Sequence, residues 1–137
     1  MWNLAAYTKI TLTVVVTVLL VLLVACQTET GVAKEIADKD PTFEVSAVQI
    51  AAEYESSESV ADDKYKGEVI LVTGVISEVY RGFLYTPYVE LKAGVRCNFS
   101  DNEDPVMAAL SVGQTVSMKG QGDRLLFGVE LRGCTVE

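Results

Sequence analysis

Hydrophobic residues are concentrated first in a continuous apolar run near the N-terminus. Residues 10–25, ITLTVVVTVLLVLLVA, are 16 residues without a charge, and the polar start before them carries Lys9. A helix that spans a bilayer needs about 20 apolar residues, so this run is short for a stable span and suits the core of a signal peptide. Residues 27–41 are polar and have no hydrophobic period. We therefore predict a signal peptide over residues 1–25 and a flexible tether over residues 26–42.

The first amphipathic segment begins at Ser46. Gln49 follows three residues later, which is the spacing of a capping box at the start of a helix. Within residues 46–57 the apolar side chains recur at helical spacing and share one face: Ala47, Ile50, Ala51 and Tyr54. This pattern predicts an amphipathic helix that packs on the rest of the domain.

After Gly67 the hydrophobic period changes from 3.6 residues to two, which is typical of β-strands. Five segments show the alternation: residues 68–80, 88–92, 95–99, 114–120 and 128–136. Gly74 lies in the middle of the first and longest segment. We expect it to mark a bulge or bend, as when one strand serves two halves of a barrel.

A short helix is predicted between the third and fourth strands. Asp104 is in position to cap it, Pro105 lies in its first turn, and Gly113 ends it. The acidic residues 101–104 lack the alternating ligand spacing of a calcium loop, so we interpret them as capping residues and predict no metal site.

The last strand contains a change of phase. Val129 and Leu131 share one face, whereas Cys134 and Val136 lie out of phase with them. A bulge at Gly133 would restore the phase and turn all four side chains inward.

Three strands, a helix and two further strands within about 70 residues are the elements of an OB-fold, a five-stranded Greek-key barrel. We therefore predict a mainly β domain over residues 43–137, with an N-terminal helix and a short helix between strands 3 and 4. Over residues 46–137 the sequence also resembles the tRNA-anti-like family of OB-fold proteins. The segments that carry this resemblance are ADDKYKG (61–67), VTGVI (72–76), YVEL (88–91), VRCNF (95–99), LSVGQTVSMKGQG (110–122) and LRGC (131–134). The resemblance implies a fold and no particular activity.

The end of the apolar run resembles the lipobox of bacterial lipoproteins in its last four residues: Leu23, Val24, Ala25 and Cys26. In that family the cysteine thiol receives a diacylglycerol, and the chain is cut before the cysteine. The resemblance implies that Cys26 is the lipid attachment site and that the chain is held to a membrane of the bacterial cell envelope. Gln27, a residue other than Asp, implies the outer membrane, with the domain facing the periplasm. An uncleaved N-terminal anchor is the alternative.

Charge and composition exclude some classes of partner and of catalytic site. The chain has a net charge of −8, and after Cys26 its ten basic and nineteen acidic residues give 10 − 19 = −9. An acidic surface repels phosphate backbones, which disfavours nucleic acid as a partner. The chain has no histidine, which excludes histidine-dependent catalytic triads. We predict a non-catalytic binding module without a cofactor, whose partner is an envelope protein. A binder of single-stranded nucleic acid or oligosaccharide is the alternative.

Two cysteines remain after Cys26. The third and fifth strands of an OB barrel are neighbours, so inward-facing Cys97 and Cys134 could form a disulfide in an oxidising compartment. Closing a loop of about 38 residues would stabilise the fold by roughly 4 kcal/mol in the chain-entropy model. The alternative is two free, buried thiols.

The ligand face of an OB-fold is formed by its second and third strands and by the loops between strands 1 and 2 and strands 4 and 5. In this chain those loops are residues 80–88 and 122–128. Side chains suited to a stacking platform are Arg81, Phe83, Tyr85, Tyr88, Arg96, Arg124 and Phe127. The acidic balance favours the other interpretation, in which apolar loop side chains plug the ends of the barrel: Phe83, Leu84, Leu125, Leu126 and Phe127.

Overall fold

A computed structural model describes residues 30–82, 84–99, 105–123 and 128–137. Its helices are α1 (Thr30–Ala37), α2 (Ala47–Ser56), α3 (Glu58–Tyr65) and α4 (Pro105–Ala109). Its strands are β1 (Phe43–Ser46), β2 (Val69–Tyr80), β3 (Tyr88–Leu91), β4 (Val95–Asn98), β5 (Thr115–Gly122) and β6 (Val129–Val136). None of the helices within these ranges is long and apolar enough to cross a membrane. The predicted signal peptide and Cys26 lie outside the described residues.

Five strands close into a barrel in the order β2-β3-β4-β6-β5, with β5 returning to pair with β2. All neighbours are antiparallel except β4 and β6, which run parallel. The short helix α4 lies between the third and fourth barrel strands along the chain. The predicted mainly β OB-fold is therefore confirmed.

The long strand β2 belongs to both halves of the barrel. Residues 69–75 pair with β5, whereas residues 76–80 pair with β3, and the register shifts between Ile76 and Glu78. The sequence suggested a bulge or bend at Gly74 itself. The bulge instead lies beyond this glycine. A Cβ atom on Gly74 would lie 2.9 Å from the Cβ of Ala47, so this glycine allows α2 to pack closely against β2.

Helix α2 forms as its sequence predicts. The Oγ of Ser46 accepts a hydrogen bond from the backbone N–H of Gln49 at 3.1 Å, which satisfies one of the free donors at the helix start. The four apolar residues of the predicted face are all buried: Ala47, Ile50, Ala51 and Tyr54. They join a core of inward side chains from the barrel strands, among them Ile76, Leu91 and Leu131.

The seam between β4 and β6 is closed covalently. Cys97 and Cys134 are joined by a disulfide with their Cα atoms 5.8 Å apart, as predicted. The phase change in β6 is also confirmed, because the register between β5 and β6 shifts at Gly133, which has a φ of 60°. The bulge turns Cys134 inward to reach Cys97.

Three elements were not expected from the sequence. The first, α1, lies in the segment predicted to be a flexible tether, and its Ile36 is 3 % exposed. Strand β1 pairs with β2 residues 27 positions later (70 − 43 = 27), and α3 buries only Ala61 and Tyr65. Each of these elements is short and has too few apolar positions for a periodic pattern, so contacts with the barrel stabilise it.

Candidate binding face

The outward side chains of four neighbouring strands form one surface on the barrel. Inward and outward residues alternate along each strand, so the buried positions of β3 and β4 leave the others facing out. We call this surface the outer face; its residues are Glu78, Tyr80, Tyr88, Glu90, Arg96, Asn98 and Glu130. Tyr80 pairs with Tyr88 across β2 and β3, and Tyr88 pairs with Asn98 across β3 and β4.

Three tyrosines form an aromatic cluster at one end of the outer face. The rings of Tyr80 and Tyr88 are stacked, with centroids 5.2 Å apart and an interplanar angle of 14°. The ring of Tyr85, in the loop between β2 and β3, lies 6.2 Å from that of Tyr80. Tyr85 is 73 % exposed. Of the predicted platform residues, Tyr85 and Tyr88 are therefore brought together, and Tyr85 is the ring most open to a partner.

Arg96 is engaged by its neighbours on the outer face. Its guanidinium carbon lies 4.2 Å from the centroid of the Tyr88 ring, and its Nη2 donates to Oε2 of Glu90 at 2.8 Å. The hydrogen bond to Glu90 raises the pKa of Arg96 above its ordinary value. Because β3 lies between β2 and β4, Tyr88 has Tyr80 on one side and Arg96 on the other. Both faces of the Tyr88 ring are therefore occupied by neighbouring side chains.

Carboxylates outnumber cations on the outer face. Glu90 pairs across the strands with Glu78 on one side and with Arg96 on the other, and Arg96 pairs with Glu130. An oxygen of Glu78 also accepts a hydrogen bond from the hydroxyl of Tyr88 at 2.9 Å. Burial, followed by this hydrogen bond, raises the pKa of Tyr88. Three carboxylates beside one paired arginine give the surface a negative potential.

Arg81 lies away from the outer face. Its Nε and Nη2 donate to the backbone oxygen of Met107 at 3.2 and 2.7 Å, and Nη2 also donates to the oxygen of Leu110 at 2.8 Å. These carbonyls are at the C-terminal end of α4, where free acceptors and the helix dipole favour a cation. Arg81 therefore holds the start of the loop against α4.

Residues 80–88 and 122–128 were interpreted either as a stacking platform or as a plug of the barrel ends. The structure tests these two interpretations only in part. Leu84 is 71 % exposed, so it does not plug the barrel, and that alternative is wrong for this residue. Phe83 and residues 124–127, with Arg124 and Phe127, lie outside the described residues. In the part of the chain that the structure describes, no group of three or more His, Cys, Asp or Glu is arranged to hold a metal.

The residues that sequence reasoning missed are on the strands. The predicted ligand face was drawn mainly from loop residues, so it did not include five strand residues: Tyr80, Glu78, Glu90, Asn98 and Glu130. The period-two alternation was a sufficient signal for Glu90, Asn98 and Glu130, since their neighbours along the strands are apolar and face inward. Their assembly into one surface depends on the pairing of strands that are distant in sequence.

Comparison with known proteins agrees with this architecture. The model of the tRNA_anti-like family matches residues 4–135. Among solved structures, the chain is similar to a crystal structure of a proposed nucleic acid-binding lipoprotein from Klebsiella pneumoniae. The identity is 19 %, the TM-score is 0.58, and the match covers 76 % of this chain and 96 % of that one. At this identity the likeness concerns the fold. No curated protein sequence matches the chain.

Proposed function

The chain belongs to the tRNA_anti-like family, and we propose that it is a lipid-anchored envelope protein whose OB-fold domain binds a protein partner through the outer face. The lipid anchor is supported by the LVAC motif that ends at Cys26 and by the similarity to a proposed lipoprotein. Anchoring at the outer membrane, with the domain facing the periplasm, is the finer part of the proposal and rests on Gln27.

The observation that carries the proposal is the negative charge of the outer face. Glu90 and Glu130 flank Arg96, which is already paired with Glu90, and Glu78 lies opposite Glu90 on the next strand. A negative surface favours a partner that presents lysine or arginine side chains. Exposed Leu84 and Tyr85 lie in the adjoining loop, and tyrosine is enriched among residues that contribute most to protein interfaces. We therefore expect the partner to carry basic residues beside an apolar patch.

Binding of nucleic acid is the second candidate, because the similar Klebsiella protein is described as a proposed nucleic acid-binding protein. OB-folds that bind single strands combine a positive groove with exposed aromatic rings. In this chain Arg96 uses its Nε and Nη2 on Glu90, and Arg81 uses its Nε and Nη2 on backbone carbonyls, so part of each guanidinium is withheld from a phosphate. Oligosaccharide binding at the outer face would share the aromatic requirement. The protein partner is favoured over both.

We further propose that the domain is not an enzyme. The chain contains no histidine, and on the outer face Glu90 bonds Arg96 while Glu78 accepts from Tyr88. A general base would need access to a substrate and a position within hydrogen-bond reach of it.

Site-specific crosslinking in intact cells tests the protein partner. A photo-crosslinking amino acid at position 85 should give one dominant protein adduct, and the same amino acid at position 48 should not. Val48 is the matched control because it is 68 % exposed on α2, outside the outer face. Glu78→Lys should reduce the adduct from position 85 several-fold by reversing the charge that the partner meets.

Binding of nucleic acid, the second candidate, is tested on purified full-length protein. Fluorescence anisotropy with single-stranded DNA and RNA oligomers at about 50 and 200 mM salt would show strongly salt-dependent binding if phosphates were the ligand. Such binding, together with equal adducts from positions 85 and 48, would contradict the protein partner and favour nucleic acid.

A further inference from the structure

Helix α1 is packed on the barrel, although the sequence predicted a flexible tether in this segment. The helix contacts β5 and β6, and its Ile36 is 3 % exposed. The Nζ of Lys119 donates to the backbone oxygen of Ala37 at 2.9 Å and lies 3.0 Å from a carboxylate oxygen of Glu137. Lys119 is 7 % exposed, and a buried ammonium needs oxygen partners such as these. These contacts fix the C-terminal end of α1 on the barrel.

The packed helix shortens the chain that separates the domain from Cys26. Four peptide units (30 − 26 = 4) lead from Cys26 to Thr30, the first residue of α1, and they span at most about 14 Å. If α1 were not packed, the first residue held by the barrel would be Phe43 in β1. The 17 units that lead to it (43 − 26 = 17) can span about 60 Å. Packing of α1 therefore shortens the longest possible tether about fourfold.

The side of the barrel that carries α1 has no excess of negative charge in its groove. A groove of about 640 Å³ lies between α1 and the ends of β4 and β6; we call it the α1 groove. Its charged lining residues balance, with Glu35 and Glu130 against Lys39 and Arg132. The chain after Cys26 has a net charge of 10 − 19 = −9, so other parts of the domain carry the acidic excess. Anionic lipid headgroups therefore repel the α1 groove less than they repel the rest of the surface.

The α1 groove and the turn between β3 and β4 mark two ends of the barrel. Strand β4 runs from Val95 to Asn98, and Asn98 lines the groove together with Thr86. Lys92 lies in the turn that precedes Val95, so at least the length of β4, about 10 Å, separates it from the groove. Thr86 and Lys92 are both exposed, and each can therefore carry a probe that reports the distance of its end of the barrel from a membrane.

We propose that α1 holds the groove end of the barrel against the lipid bilayer, so that the domain works at the membrane surface. This inference rests on the lipid anchor of the proposed function. A chain of at most about 14 Å keeps the start of α1 beside the lipid at Cys26, and the packed helix carries the barrel with it. Asn98 and Glu130 line the groove and belong to the outer face, so a partner at the outer face is met close to the bilayer.

Energy transfer to a lipid-bound acceptor tests this position. The lipidated protein, with a fluorescent amino acid at position 86 or 92, is placed in vesicles of phosphatidylethanolamine and phosphatidylglycerol that contain an acceptor on the lipid headgroup. We expect more efficient transfer from position 86 than from position 92. Replacing residues 30–37 with eight glycine and serine residues should lower transfer from position 86 and make the two positions nearly equal. The root-mean-square length of the free chain would then rise about twofold, from about 11 to about 23 Å.

Lys119→Met is a second variant that releases α1, and it should also lower transfer from position 86. Lys92→Met is the matched control and should leave that transfer unchanged, and circular dichroism checks that all variants are folded. Equal transfer from positions 86 and 92 in the unaltered protein overturns the proposal. Transfer from position 86 that neither the glycine-serine segment nor Lys119→Met lowers also overturns it.

Flotation with the vesicles tests the lipid anchor separately. The unaltered protein should float, and Cys26→Ser should not. If Cys26→Ser floats as well as the unaltered protein, the lipid anchor is wrong and the inference about α1 is wrong with it. If flotation requires Cys26 and positions 86 and 92 give equal transfer, the anchor stands and only the inference about α1 fails.

Discussion

A Cβ atom built on Gly120 would lie 2.7 Å from the Sγ of Cys134. The disulfide from Cys134 to Cys97 therefore occupies space that any side chain at position 120 would fill. Gly120 also stands opposite the bulge at Gly133 on the neighbouring strand. A glycine on β5, a bulge on β6 and a cysteine on β4 thus form one structural unit at the seam of the barrel.

Removing the disulfide should destabilise the domain. Replacing Cys97 and Cys134 together with Ala frees a link between residues 37 apart in sequence, and we expect a loss of about 2–4 kcal/mol in the free energy of unfolding. Urea denaturation followed by circular dichroism measures this loss. Reduction of the unaltered protein should give a similar shift of the midpoint, and an unchanged midpoint in both cases would contradict the prediction.

Gly120→Ala should destabilise the domain more when the disulfide is present than when it is absent. The added methyl group would meet the Sγ of Cys134 and the Cβ of Leu131 at 3.0 Å, and overpacking of this kind costs about 1–3 kcal/mol. The same change in a chain with Cys97→Ala and Cys134→Ala should cost less, because the sulfur is gone. A double-mutant cycle by urea denaturation gives the coupling, and additive effects would argue against the contact.

Arg81→Ala should reduce stability although the residue lies in a loop. Its guanidinium bonds two carbonyls at the end of α4, and losing charged hydrogen bonds costs about 1.5–3 kcal/mol. Arg81→Lys should recover part of this loss, because an ammonium lacks the fork that reaches both oxygens. Lys92→Ala, in an exposed turn, is the control and should change the melting temperature little. If Arg81→Ala lowered the melting temperature no more than Lys92→Ala does, the hydrogen bonds from Arg81 to the end of α4 would not contribute to stability.

The domain should lose stability at alkaline pH. Burial, with a further contribution from Asp62, raises the pKa of Tyr54 to about 12, whereas an unfolded tyrosine titrates near 10. Between these values the unfolded chain releases a proton that the folded chain retains. The stabilisation is thus complete below about pH 10 and is lost as the pH rises toward 12.

Urea denaturation at several pH values between 9 and 12 measures this dependence. Tyr54→Phe should flatten the decline without abolishing it, because the pKa values of Tyr65 and Tyr88 are also raised. A decline that is equally steep in the variant would show that Tyr54 does not contribute.

Lys119→Met should release α1 from the barrel. The substitution keeps the apolar stem and removes the donor to the carbonyl of Ala37. Hydrogen exchange should accelerate at the amides of Asp38 and Lys39, which bond carbonyls of α1, and stay slow in the ladder between β2 and β5. Lys92→Met is the matched control. Unchanged exchange at Asp38 would mean that Ile36 alone suffices to hold the helix.

Local patterns predicted most of the fold because each is set by a few adjacent residues. The cap at Ser46 and the buried face of α2 follow from helical spacing, and the barrel strands follow from a period of two. The bulge at Gly133 was predictable because apolar residues changed phase there. Gly74 was expected to mark a bulge or bend in a strand that serves two halves of the barrel. The strand does serve both halves, but the register shift lies after Gly74, between Ile76 and Glu78, and Gly74 itself allows the close approach of Ala47.

The candidate site was predictable only in its parts. Tyr85, Tyr88 and Arg96 were expected on residue type alone, and the structure brings them to one end of the barrel. The contacts of Arg81 were not predictable, because its hydrogen-bond partners are backbone carbonyls that no side-chain pattern reveals. The packing of α1 likewise depends on Ile36 and on Lys119, which are far apart in the chain.

The sequence by itself determined the class of fold, the inward and outward positions along each strand, including those of Cys97 and Cys134, and the acidic balance. These follow from the period of apolar residues and from charge, which are properties of the chain at short range. Only the tertiary structure decided that Glu78, Glu90 and Glu130 share a surface with Arg96, and that α1 closes a groove against β6. Those arrangements arise from pairing between distant strands and from contacts with backbone groups, which leave no local pattern for a sequence to display.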